Sequence, residues 1–149
     1  MKYISKLIVV VCVGLLALAC NYDRNEGFDI RSPQAVILSD TILAAKGSTV
    51  TIKATLSDES GLKSYRLQYS DWDVNEEKVR INETGYPKTY EFSANVLIPD
   101  TAKVSWNENY QKNDGTTFNI TQTYHKITLT FYDAVNNSNV VYFYVKILP

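Results

Sequence analysis

Residues that usually carry metal or nucleophile chemistry are nearly missing from this chain. Its 149 residues include two cysteines, one methionine and one histidine. There is no HExxH run and no paired Cys/His spacing, so a zinc site is not expected. The lone His125 has no nucleophile-elbow motif to serve, which argues against Ser-His or Cys-His hydrolysis. Acid pairs on loops are too common to indicate a glycosidase. The chain is therefore read as a non-enzyme without a cofactor. Basic runs are missing too: 15 Lys and Arg face 16 Asp and Glu. Nucleic acid is then an unexpected partner, and a polybasic grip on anionic lipid is lacking. No window shows a helical period.

The one long apolar run is at the start. Lys2 and Lys6 precede an apolar or small stretch over 7–18, the layout of a secretory signal. As a helix it would rise about 18 Å, short of the roughly 30 Å hydrocarbon core. Residues 1–19 are thus expected to be removed. Ala17-Leu18-Ala19 suits an ordinary signal peptidase, and the stretch LLALACNYD around Cys20 looks like a bacterial lipoprotein signal, with Ala17 where the usual box has leucine. The resemblance implies a diacylglyceryl group on the Cys20 thiol; the plain alternative is a free cysteine at the cut. A diacylglyceryl cysteine supplies the two chains that stable anchoring needs. Removing Lys2 and Lys6 from the 15 basic residues leaves 13 against 16 acidic ones, a net of −3. The expected location is the outer membrane or cell surface, held by lipid. Residues 20–33 are polar, aperiodic and end in Pro33, and read as a tether.

What remains, 34–149, is strand composition, rich in Tyr, Val, Thr and Ile. Val50, Ile52, Ala54 and Leu56 alternate with Thr49, Thr51, Lys53 and Thr55, a period of two with one apolar face. Similar alternation marks 62–69, 89–98, 123–132 and 139–147. A short strand is expected at 34–38 and a weak one at 78–82. Seven strands divided by turns predict an antiparallel β-sandwich.

Two stretches carry a family resemblance. SDESGLKS at 57–64 and YDAVNNSNVVYFYVKI at 132–147 look like the turns before strands C and G of bacterial Ig-like domains. Signal, tether and domain together resemble the small Ig-like lipoproteins of Bacteroidetes, many of them domains of unknown function. The resemblance implies a seven-stranded Ig-like fold and no catalytic residue.

In such a fold the loops at 70–73 and 100–122 share the end away from the tether. The second is far longer than usual connections, and loops of that length are usually functional or disordered; its Trp106, Tyr110 and Phe118 argue for order. Asn113-Asp114-Gly115 is a hairpin signal within it. Trp72 and Trp106 are expected to meet at this tip among Asp71, Asp73, Asn107, Asn109 and Tyr110, a mixture that suits a sugar: rings for its C–H face, amides and carboxylates for its hydroxyls. The competing reading has the indoles capping the core. Tyr124, Tyr132, Tyr142 and Tyr144 share an outward parity and form a candidate partner face. Asp58, Glu59 and Asp133 are a weaker calcium candidate, set against local Asx-turns. His125 is expected inward with its hydrogen bonds met. The function expected is a membrane-anchored binding module for a glycan or protein, with a structural accessory subunit of an outer-membrane or cell-surface complex as the alternative.

Overall fold

The computed structural model describes residues 29–149. The signal, Cys20 and most of the tether fall outside the described residues. Within them the chain is all-β, with ten strands in three sheets and no α-helix. A three-stranded sheet has the order β1 (Gln34–Val36), β3 (Thr49–Ser57), β6 (Thr89–Leu97). A five-stranded sheet has the order β2 (Thr41–Ala44), β10 (Ser138–Ile147), β9 (His125–Asp133), β4 (Leu62–Tyr69), β5 (Val74–Lys78). The third is a hairpin of β7 (Trp106–Gln111) and β8 (Thr117–Gln122).

Alternation decides the first two sheets. Val50, Ile52, Ala54 and Leu56 on β3 and Phe92, Ala94 and Val96 on β6 are buried, with their neighbours exposed or half-buried. On the larger sheet Tyr65, Leu67, Ile127, Leu129, Phe131, Phe143, Val145 and Ile147 turn the same way. These two inner faces merge into one apolar cluster. The Tyr65 ring meets Phe92 edge-on at 4.9 Å and spans the layers. Burying each large apolar side chain contributes about 1.5–3 kcal/mol, so this cluster is the main stabilising feature.

The strand count departs from the seven expected, for three local reasons. Residues 34–38 do not make one strand: β1 pairs with β3, then the chain bends and β2 joins β10 in parallel on the other sheet. Leu38, expected in the strand, is almost fully exposed. The strand expected over 78–82 is replaced by β5, which returns at once along β4, with Tyr69 opposite Val74. A 3-10 turn at Ser70–Trp72 and a left-handed Asp73 (φ 54°) make that reversal, a conformation aspartate tolerates better than most residues. In place of a strand, Ile81 sits buried and its N–H donates to the Lys63 carbonyl. The 100–122 connection supplies the hairpin.

The leading segment is fixed at one end of the layers. Asn137 Nδ2 donates to the carbonyls of Asp29 and Arg31, and Asn139 Nδ2 to that of Pro33. Gly61 lies at the same end with φ 94°, and a Cβ there would stand 2.5 Å from the Tyr86 carbonyl oxygen; glycine is the residue that adopts this conformation without a clash.

Candidate functional site at the far end of the sheets

β4 runs toward the opposite end and delivers Tyr69, followed by the 3-10 turn with Trp72. β9 starts there with His125. The chain after β6 passes over this end through Thr101, Ala102 and Lys103 before entering the hairpin at Trp106. These segments converge on the imidazole. The Trp72 and Trp106 rings lie 4.5 and 4.6 Å from its centroid, and Tyr69 meets it edge-on at 5.7 Å.

His125 is 2% exposed, and both ring nitrogens are bonded. Nε2 is 2.7 Å from the Lys103 carbonyl oxygen. A carbonyl only accepts, so Nε2 carries a proton and donates. Nδ1 is 2.7 Å from the Tyr69 hydroxyl, which also lies 3.1 Å from Asp71 Oδ2. The hydroxyl has one proton, so it serves Nδ1 or Asp71 but not both at once. Burial, reinforced by the bond to Asp71, pushes the Tyr69 phenol well above the ordinary tyrosine range. This bonding holds the loop carbonyl, the imidazole, the phenol and the carboxylate in line.

Beside them is a pocket of about 330 Å³ lined by Asp71, Trp72, Thr101, Ala102, Lys103 and His125. It offers a carboxylate, a hydroxyl, an ammonium and an indole within one small opening. The hairpin does not line it but is joined to it through Trp106, which packs on His125. Cross-strand pairing places Tyr110 opposite Phe118, Glu108 opposite Ile120 and Trp106 opposite Gln122 on one face, with the Tyr110 and Phe118 rings stacked at 5.8 Å. Glu108 organises this face. Its carboxylate accepts from Trp106 Nε1 at 2.6 Å, the Tyr110 hydroxyl at 2.5 Å and Gln122 Nε2 at 3.3 Å. The Tyr110 bond, then that of Trp106, lowers its pKa below the usual glutamate range.

Trp72, Trp106 and Asp71 thus come together at the end opposite the leading segment. The two indoles do not form an open pair. Trp72 is buried, and its ring spends its contacts on Tyr69 and His125; Trp106 is half-buried. Asp73 is an exposed turn residue and does not line the pocket. Asn107 and Asn109 fall on the opposite hairpin face from Trp106 and Tyr110, because successive strand residues alternate sides. There Asn107 accepts from Thr121. Glu108 and Lys103 went unread in sequence. Glu108 lies two residues from both Trp106 and Tyr110, and that spacing was the available signal.

At the other end Asp29, Asp58 and Asp133 each have a carboxylate oxygen within 4.8 Å of the others. Glu59 is not in this group; it is exposed and lies 3.7 Å from Arg31. Local turns occupy the acids. Asp58 Oδ1 accepts from the Ser60 and Gly61 amides and the Ser60 hydroxyl. Asp133, fully buried, accepts from the Val135 and Asn137 amides and from Asn137 Nδ2. Tyr132 and Tyr142 are partly exposed on the outer face of the five-stranded sheet and Tyr144 is half-buried there, while Tyr124 is exposed just before β9.

No protein-family model matches the chain, and no curated protein matches it.

Proposed function

We propose that this chain is an exported lipoprotein, acylated at Cys20, whose Ig-like β-sandwich presents a saccharide-binding tip. Several observations support the Ig-like reading. The sheet orders β1-β3-β6 and β2-β10-β9-β4-β5 put strands in the relation of A-B-E and A′-G-F-C-C′, with the segment that would be strand D left irregular. Attachment of residues 29–33 at one end and convergence of the indoles at the other are in keeping with a module held by its root and recognising at its tip.

The observation that carries the saccharide reading is the partly open Trp106 ring packed on His125, which itself lines a small pocket with Asp71, Thr101 and Lys103. A pyranose needs a flat apolar surface for its C–H face and charged or hydroxyl groups for its rim. Trp106 and, farther along the same hairpin face, Tyr110 and Phe118 supply the surface; the pocket supplies the rim. Trp72 serves as floor and not as a second stacking plate.

Affinity electrophoresis of the detergent-extracted full-length protein through gels containing neutral polysaccharides tests this. Retardation on at least one neutral glucan, mannan or xylan is expected. Trp106→Ala should weaken it by roughly tenfold or more, the scale of a lost aromatic contact at a binding centre. Migration unchanged on every polymer would refute the reading.

A further inference from the structure

We propose that the outer face of the five-stranded sheet is a separate binding surface for an acidic polysaccharide. The face is built by parity. β10 turns Tyr142, Tyr144 and Lys146 outward, β9 turns Lys126 and Thr128, and Tyr124 stands exposed just before β9. Tyr142 is opposite Thr128 and Tyr144 opposite Lys126. Aromatic rings and cations therefore interleave on two adjacent strands.

The cations lie over the rings. Lys126 Nζ sits 4.5 Å from the Tyr142 centroid, and Lys146 Nζ 5.7 Å from that of Tyr124. Such contacts hold an ammonium in place without neutralising it. Neither lysine has a carboxylate partner: among the described residues the ion pairs are Arg31–Glu59 and Arg66–Glu77. Arg66 and Glu77 face each other on β4 and β5 of this same sheet, so their charges offset. What remains is uncompensated positive charge on one face of a chain whose formal net charge is −1.

The charge selects an anion, and the rings select its kind. Lys146 is two residues along β10 from Tyr144, the residue opposite Lys126, and the two ammoniums lean apart, one over Tyr142 and the other over Tyr124. A polymer bearing carboxylates along its length can reach both ammoniums while its sugar rings lie beside them on the exposed tyrosines. Two lysines fall short of the four to eight that mark a patch for anionic lipid. A protein partner would call for a buried anchor entering a pocket, whereas the tyrosines of this face stand exposed or half-buried on a sheet surface. This surface lies on different strands from the hairpin and does not depend on the tip.

The full-length protein in mild detergent would be run through gels containing polygalacturonate, with dextran as the neutral polymer. Polyglutamate and phosphatidylglycerol vesicles would serve as the acidic polypeptide and lipid alternatives. Polygalacturonate should retard the protein, and in Trp106→Ala, where the tip is disabled, dextran should retard it far less than polygalacturonate does. Lys126→Gln with Lys146→Gln should weaken retention roughly tenfold, while circular dichroism stays unchanged because both side chains lie on the outer face. Tyr142→Ala should weaken it at constant charge, and Trp106→Ala should leave it intact. The proposal is overturned if the double variant binds as well as the parent, or if polygalacturonate causes no retardation. It is also overturned if polyglutamate or vesicles bind equally well, or if Trp106→Ala abolishes retention.

Discussion

Glu108 ties three side chains of the hairpin through one carboxylate, and that makes its charge a condition for the order of the tip. Bonds from Tyr110 and Trp106 favour the ionised form, so its pKa is lowered on folding. A group of this kind stabilises the fold above its unfolded pKa, and the contribution fades as pH falls through the lower, folded one. The expected result is a change in Trp106 fluorescence on acidification below the ordinary glutamate range, absent in Glu108→Gln. A profile identical in the two proteins would show that the carboxylate does not organise the indole. At the same scale, His125 was readable from its inward parity on β9, and its bonding to Lys103 and Tyr69 meets that expectation. Asn107 and Asn109 were misplaced because the expectation treats this stretch as a loop tip; as part of strand β7 they alternate with Trp106 and Tyr110 and so face the other side.

Among elements, the long alternating strands were legible and the short polar ones were not. β3, β6, β9 and β10 bury every second residue against a common core, and that pattern is written in their side chains. β5 is Val-Asn-Glu-Glu-Lys, with four of five residues exposed; it is a strand because its backbone can pair with β4, and backbone pairing leaves no periodic trace. β2 was hidden for a related reason: its parallel pairing to β10 comes from a distant part of the chain. The hairpin was legible through Asp114-Gly115, where Gly115 takes φ 84°. None of its residues is fully buried, and a lone two-stranded hairpin is marginal in water. Its amides should therefore exchange with deuterium well before those of β3 and β9, whose opening requires loss of the core. Equal protection of the hairpin and these strands would mean that it is packed more firmly than its contacts suggest.

For the whole molecule, the relation between the two ends matters most. Asn137 and Asn139 hold residues 29–33 at one end, and the indoles surround His125 at the other. If Cys20 carries acyl chains, the root of the domain is the membrane-proximal end and the hairpin points outward. The mature N-terminal peptide from membrane extracts should carry the mass of a diacylglyceryl cysteine. An unmodified Cys20 would remove the anchor and the polarity that the proposed function assigns to the two ends.

The parallel junction of β2 with β10 has a mechanical consequence. Thr41 to Ala44 run alongside Tyr144 to Ile147, so tension between the leading segment and the far end of β10 would slide these strands past each other lengthwise. Sliding loads every rung of that ladder together, whereas peeling breaks rungs one at a time. A module tugged by a captured polymer would thus meet the pull with its stiffest geometry.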